Sequence, residues 1–191
     1  MLETAPYESD DSMGRLWVPH RMMYINGADK PATAKSSDCP FCDPVIVNDN
    51  IRLLKDKLVV AEGKFCYVIL NLFPYNSGHM LVLPYRHIPD YIELTDDEAA
   101  EFYLLSKQAI IAAKGAMNPQ GFNIGINQGV IAGAGIAAHL HQHVVPRWSG
   151  DANFLPIIGQ TKAMPQFLGD TRDALAANWP TDTPNGAQPV L

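Results

Sequence analysis

The stretch His139-Leu-His-Gln-His-Val-Val-Pro-Arg-Trp148 decides how the rest of this chain is read. It holds three of the chain's six histidines, at alternate positions. In a strand, successive side chains point to opposite faces. His139, His141 and His143 would then share one face, with Leu140, Gln142 and Val144 on the other. Neighbours on one face stand roughly 6.5–7 Å apart. An imidazole flanked by two others suits chemistry on an anionic group, because one ring nitrogen attacks or binds while the others donate hydrogen bonds. From the residues alone, three readings stand side by side. The imidazoles are metal ligands with a zinc-bound water as nucleophile; or one histidine is the nucleophile and the others help it; or a half-buried strand carries histidines without chemistry.

Upstream and downstream of this stretch the chain reads as short strands and one long helix. Leu58–Ala61 and Phe65–Leu70 flank Glu62-Gly63-Lys64, a hairpin signal. Asn71–Gly78 is a turn-rich loop, and His79–Leu83 is the next strand, closed by Pro84. Thr95-Asp-Asp-Glu98 is a capping box. It opens a helix to about Met117, with Phe102, Leu105, Ala109 and Ala112 or Ala113 at helical spacing, and Asn118-Pro-Gln-Gly ends it. Phe122–Asn127 is a strand. Gly133-Ala-Gly135 precedes a strand instead of opening a helix, so it is no dinucleotide fingerprint; its use is a loop whose backbone approaches a ligand closely. Pro165–Trp179 reads as a second helix with Pro near its first turn, interrupted by Gly169. Together these predict an α+β chain, an antiparallel sheet with one long helix packed across it.

At 191 residues the chain buries one sizeable core. A hydrophobic share of 47% and a charged share of 18% are ordinary for a soluble globular protein. A net charge of −6 argues against a nucleic-acid backbone binder, but a small nucleotide needs only local donors. Met1–Asp11 is acidic and polar, unlike a signal peptide, and no apolar run reaches membrane-spanning length. A cytoplasmic protein with no membrane partner is the expectation. Arg15–Tyr24 is richer in large apolar groups and should pack on something, the core or a dimer partner ahead of a ligand. The expected organisation is an N-terminal extension over 1–38, a domain over 39–178 and a loose, proline-rich tail over 179–191. Of three cysteines, two form Cys39-Pro-Phe-Cys42. That spacing fits half a zinc site, a redox pair or a coincidence; the absence of a βαβ pattern disfavours the redox pair.

His139-Leu-His141-Gln-His143-Val-Val resembles the His-φ-His-φ-His-φ-φ signature of the histidine triad (HIT) superfamily, with φ apolar. Gln142 departs from it, on the side of the strand turned away from the histidines. The continuation Pro146-Arg-Trp-Ser-Gly-Asp-Ala-Asn-Phe154 is similar to the bacterial diadenosine tetraphosphate phosphorylase branch. The resemblance spans about residues 15–178 and implies the HIT-like fold, a homodimer whose sheets continue across the interface, and no organic cofactor. It implies that His141 attacks an α-phosphorus of a dinucleoside polyphosphate, forming a nucleotidyl-histidine. It gives His143 the role of donor to a phosphate oxygen or leaving group, and His139 a place beside them. Gln128 and the backbone near Gly135 become further phosphate donors. Asn71 would hold the ribose, with His79 nearby and Asn127 on the phosphate side. Trp148 would stack on adenine or pack at the dimer interface. The resemblance also completes a structural zinc site, with His87 and His139 joining Cys39 and Cys42. The rival is two buried free thiols beside two unrelated histidines. Phosphorylases of this branch carry a Gly-Ser pair before the triad, where the serine holds the acceptor phosphate. Ala134-Gly135 stands there instead. Ser149, Arg147 and Lys162 are candidate replacements; failing them, water becomes the acceptor. A non-enzymatic nucleotide-binding module is the remaining alternative.

Overall fold

Short apolar runs separated by turns pair into one antiparallel sheet. The structure, a computed structural model, describes residues 39–42, 58–151, 158–159, 163–181 and 187–190. The expected N-terminal extension lies outside them. β1 (Val59–Glu62) and β2 (Cys66–Leu70) form the hairpin signalled by Glu62-Gly63-Lys64. β3 (Met80–Pro84) pairs with β2, and β5 (Gln142–Arg147) lies between β3 and β4 (Gly121–Ile126). With β6 (Gln188–Pro189) the order is β4-β5-β3-β2-β1-β6. β2 and β3 are buried throughout, as central strands covered on both faces must be.

Helix α1 (Asp96–Met117) forms as its sequence dictates. Thr95 Oγ1 accepts from the Glu98 N–H and the Glu98 carboxylate accepts from the Thr95 N–H, a reciprocal capping box. Asn118 ends the helix in the left-handed conformation. Phe102, Leu105, Ala109, Ala112 and Ala113 form its buried stripe, which packs on β2, β3 and β5. Two of its carboxylates are also buried. Glu98 pairs with Arg86 through two 2.6 Å contacts, and that guanidinium holds its carboxyl down at about 2. Glu101 accepts from the backbone N–H groups of Lys64 (2.8 Å), Phe65 and Cys66 (2.7 Å). A Cβ on Gly63 would stand 2.8 Å from that carboxyl, so the turn needs a glycine to approach the helix.

Three expectations are corrected here. β5 starts at Gln142, so His139 and His141 precede the strand instead of sharing a strand face with His143. Helix α2 (Leu168–Ala177) runs through Gly169 without interruption and starts beyond Pro165. The tail is tied down where it is described. Gln188–Pro189 pairs with β1, the Trp179 indole donates to the Ala187 carbonyl (3.1 Å), and Gln108 of α1 bonds both Pro180 and Ala187. Proline content suggested looseness, but a Pro on an edge strand leaves room for such pairing.

Glu101→Ala leaves three turn donors without their acceptor and should lower stability by about 2–3 kcal/mol, measured by urea unfolding. A loss under about 0.5 kcal/mol would mean that water satisfies those donors as well as the carboxylate does.

Candidate active site

The sheet has a helix face and a histidine face. Gln142 points toward α1, where its Nε2 donates to Ser106 Oγ at 3.1 Å. A polar residue at this position is therefore satisfied by a helix hydroxyl. His143, one residue on, stands on the opposite face, paired in register with Leu81 of β3.

The three triad imidazoles have three different partner sets. His139 Nε2–H donates to the buried Pro84 carbonyl at 2.9 Å, and its Nδ1 faces Cys39 Sγ (3.5 Å) and Cys42 Sγ (3.2 Å). His141 Nδ1–H donates to the His139 carbonyl at 2.8 Å. That bond fixes its tautomer and puts the lone pair on Nε2. His143 Nδ1 lies 2.9 Å from His79 Nε2, and His79 Nδ1 lies 3.0 Å from the Tyr75 backbone nitrogen. A backbone N–H only donates, so His79 Nδ1 accepts and its proton is on Nε2. His79 therefore donates to His143 Nδ1, which places the His143 proton on Nε2. The site thus offers one nucleophilic nitrogen, on His141, and one fixed donor, on His143.

Burial keeps these rings neutral. It lowers His79 to about 3 and His143 to about 4, with neighbouring triad imidazoles adding to the effect. It also lowers His141, opposed by the hydrogen bond to the His139 carbonyl. Neutral imidazole is the form that attacks phosphorus.

A second cluster sits directly beside the first. Ligand atoms of Cys39, Cys42, His87 and His139 all lie within 4.8 Å of one another, with Cys42 Sγ 2.9 Å from His87 Nδ1. A tetrahedral zinc with two thiolates and two imidazoles separates sulfur from nitrogen by about 3.6 Å. The observed 2.9, 3.2 and 3.5 Å reach that with small outward shifts. Phe41, between the cysteines, ties the clusters together: its ring lies 5.6 Å from His139 and 5.5 Å from His141, and its carbonyl accepts from Tyr67 Oη. The third cysteine takes no part. Cys66 is buried on the helix face, and burial pushes its thiol up to about 12. The reading in which all three triad histidines bind one metal is corrected by this geometry: only His139 turns toward the other ligands.

The remaining expected residues divide. Asn71 is at the triad, with Nδ2 3.4 Å from His79 Nδ1 and its Oδ1 accepting from the Phe73 N–H. Asn127 follows the end of β4 and is half-buried. Gln128 is turned to Asp90 and the Tyr91 N–H (2.9 and 3.0 Å), which makes it a brace for the helical turn Tyr91–Glu93. Gly135 is exposed, just after the buried Ala134. Trp148 lines a cleft of about 720 Å³ with Asn76, Met117, Asp151 and Met164, beyond the far end of β5. Arg147 is committed to Asp151 (2.7 and 2.9 Å) and Asn123; Ser149 N–H donates to Gln120; Lys162 lies outside the described residues. Sequence reasoning missed Phe41, Tyr75 and Asn76. Phe41 was visible as the large apolar residue inside Cys-x-x-Cys, and Tyr75 as the aromatic four residues before His79.

The fold and these residues define a histidine triad protein. Residues 52–150 match the HIT domain model, and the chain belongs to the HIT family. It is 46% identical over 172 residues to AP-4-A phosphorylase of Mycobacterium tuberculosis, an alignment covering 88% of this chain and 86% of that protein. A solved Zn-bound histidine triad family protein from Mycobacterium smegmatis is 26% identical, with a TM-score of 0.53 over 63% of this chain and 81% of that one. A hypothetical histidine triad nucleotide-binding protein from Sulfolobus tokodaii, also 26% identical, gives 0.57 over 73% and 91%.

The neutral imidazoles make stability depend on pH. An unfolded histidine takes its proton near pH 6.5, whereas His79 and His143 resist it until about 3 and 4. Within that window the unfolded state binds more protons, so stability falls as pH falls below about 6.5. Each imidazole contributes up to about 1.4 kcal/mol per pH unit. Urea unfolding of the wild type and His79→Asn from pH 7 to 5 should give the variant a slope shallower by about one proton. Equal slopes would show that His79 takes its proton normally in the folded state.

Proposed function

We propose that this chain is a HIT-family nucleotidyltransferase that cleaves dinucleoside polyphosphates, diadenosine tetraphosphate first, through a nucleotidyl-histidine on His141. The observation that carries this reading is the His141 Nδ1–H bond to the His139 carbonyl, which leaves Nε2 as the nucleophile. The relationship to AP-4-A phosphorylase supports the substrate.

In the first step His141 Nε2 attacks an α-phosphorus. A P–N bond forms and the P–O bond to the leaving nucleoside polyphosphate breaks. His143 Nε2–H donates to the departing oxygen and His79 holds that tautomer. In the second step a phosphate oxygen attacks the same phosphorus and the P–N bond breaks. Phosphorolysis gives ADP and ATP; water as acceptor gives AMP and ATP. Asn71 is assigned to the ribose and Asn127 and the Gly135 backbone to the phosphates. Gln128 is withdrawn from that group because its amide is engaged elsewhere.

His141→Ala should abolish turnover and leave nucleotide binding within about tenfold, because ground-state contacts come mostly from other groups. Incubation with labelled diadenosine tetraphosphate, with and without phosphate, checks both steps by chromatography. ADP appearing only with phosphate identifies the phosphorylase, and acid-labile label on the wild type alone identifies His141. Turnover by His141→Ala near the wild-type rate would end this reading.

The adjoining cluster is assigned a structural zinc on Cys39, Cys42, His87 and His139, supported by the donor set and by the Zn-bound relative. Zinc there would join the Cys39–Cys42 knuckle to the ends of β3 and the triad segment. Elemental analysis should find about one zinc per chain, with Cys39 and Cys42 resisting thiol reagents until a chelator is added. Zinc-free protein with two freely titrating thiols would reject the site.

The chain is further assigned to the cytoplasm as a homodimer. β4, an edge strand with Ile124 48% exposed, is the surface that supports sheet continuation. No helix of the described residues is long and apolar enough to cross a membrane. Light scattering at micromolar concentration should give twice the chain mass; a monomer mass would reject the dimer.

A further inference from the structure

Tyr75 sits in a surface loop and is 56% exposed, yet it contacts both the buried His79 ring and the half-buried His143 ring. Its ring centroid lies 4.6 Å from that of His79 and 5.5 Å from that of His143, stacked on the latter at 21°. Its backbone N–H donates to His79 Nδ1 at 3.0 Å. The loop is anchored on both sides of it. Phe73 N–H donates to Asn71 Oδ1 on one side. On the other, Asn76 Nδ2 donates to the Pro146 carbonyl and to Asp151 Oδ2, while the Asn76 carbonyl accepts from His79 N–H. A half-exposed aromatic on a loose loop would sample many positions; this one is held over two rings.

We propose that Tyr75 is the positioning residue of the His79–His143 pair: its ring screens the pair from water, and its backbone N–H selects the tautomer that places a proton on His143 Nε2. The catalytic meaning of that proton rests on the nucleotidyl-transfer reading above; the screening itself does not.

The consequence has a definite sign. Both imidazoles stay neutral because little water reaches them. Without the phenol ring, water reaches one face of each, and protonation becomes easier. A protonated His79 has no lone pair for the Tyr75 N–H, and no fixed direction remains for the proton between His79 and His143. The titratable group facing the pair from the triad segment is His141. The Asp151 carboxylate reaches the loop only at Asn76 and is held by Arg147. Stacking needs the ring and not the hydroxyl, so Phe in place of Tyr should preserve the effect.

The test uses the full chain without nucleotide, as wild type, Tyr75→Phe and Tyr75→Ala. Nitrogen–proton correlation spectra of the imidazoles are followed from pH 7.5 to 4.5. Wild type and Tyr75→Phe should keep His79 and His143 as single neutral tautomers to pH 5. In Tyr75→Ala both should titrate with midpoints raised by about one pH unit or more. In turnover of diadenosine tetraphosphate, the acid limb of kcat/KM should move up by the same amount in Tyr75→Ala alone. Wild-type midpoints for both imidazoles in Tyr75→Ala would overturn the screening role, as would Tyr75→Phe behaving like Tyr75→Ala; a second His79–His143 tautomer at neutral pH in the wild type would overturn the role of the backbone N–H. If the wild type turns over no dinucleoside polyphosphate, the enzyme reading fails while the spectra still decide the role of Tyr75. Thermal unfolding of Tyr75→Ala guards against a change of fold, to which so exposed a side chain contributes little.

Discussion

The hydrogen bond from His141 Nδ1 to the His139 carbonyl is the constraint on which the site depends. A carbonyl orients a neighbour only if it is itself held, and His139 is held at both ring nitrogens. Nε2 is bonded to Pro84, the last residue of β3, and Nδ1 is turned to two thiols. The Leu140 N–H adds a 2.7 Å bond to the Ile88 carbonyl. The segment before β5 therefore lacks strand pairing but is not free. It is clamped by side-chain and loop contacts, and His141 Nε2 inherits that rigidity. Alternate histidines can be so close in sequence and so different in role because each answers to a different part of the fold.

The helix face makes the histidine face possible. A neutral imidazole relay needs a dry wall behind it. α1 supplies that wall by burying the other side of β2, β3 and β5. Its two inward carboxylates would be costly alone, but each is matched. Glu98 has Arg86 and its own cap; Glu101 has three backbone donors. The second match also fixes the β1–β2 hairpin against the helix. In this way a turn remote from the triad sets where β2 lies, and with it Asn71 and the loop that carries Tyr75.

Much of this was legible in the sequence, and the gaps have physical causes. The capping box and apolar spacing of 95–117 gave the helix to the residue at its start, because capping is local chemistry. Cys39, Cys42, His87 and His139 were gathered by resemblance and do lie together, although no local rule joins residues a hundred positions apart. Alternation in 139–143 predicts one strand face, because period 2 is its simplest cause. The observed cause is tertiary: Ile88, Pro84 and the cysteines hold the segment out of the ladder. By pattern alone Gln142 departs from an apolar position and Gln128 is a phosphate donor. Each instead bonds a neighbour that only the fold brings near, Ser106 in one case and Asp90 in the other. Prolines predict a loose tail, whereas the buried partners Trp179 and Gln108 decide its course where it is described.

The electrostatics bear on how an acceptor is held. Arg147 follows the triad strand and is the cation nearest to it in sequence, but it is bonded to Asp151 and Asn123. Asp151 is held well below the usual carboxylate range by that guanidinium, so it stays ionised opposite Arg147 at any ordinary pH. The three imidazoles facing the reacting position are neutral. On the proposed reading, the groups among the described residues that are assigned to phosphate oxygens are neutral donors: His143 Nε2–H, amides and loop N–H groups. The loop before the triad is shaped by glycines at positive φ, Gly129 and Gly133, and two of its N–H groups are spent on its own carbonyls. Neutral donors grip a polyphosphate less tightly than cations do, yet they still stabilise charge that grows in the transition state when they are preorganised. That balance favours turnover over retention of a highly charged product. On the same reading, the absence of a serine hydroxyl at Gly135 removes one donor from a small set, instead of one among many. On the proposed nucleotidyl-transfer reading, discrimination between phosphate and water therefore rests on how few fixed donors remain, and where the loop holds them.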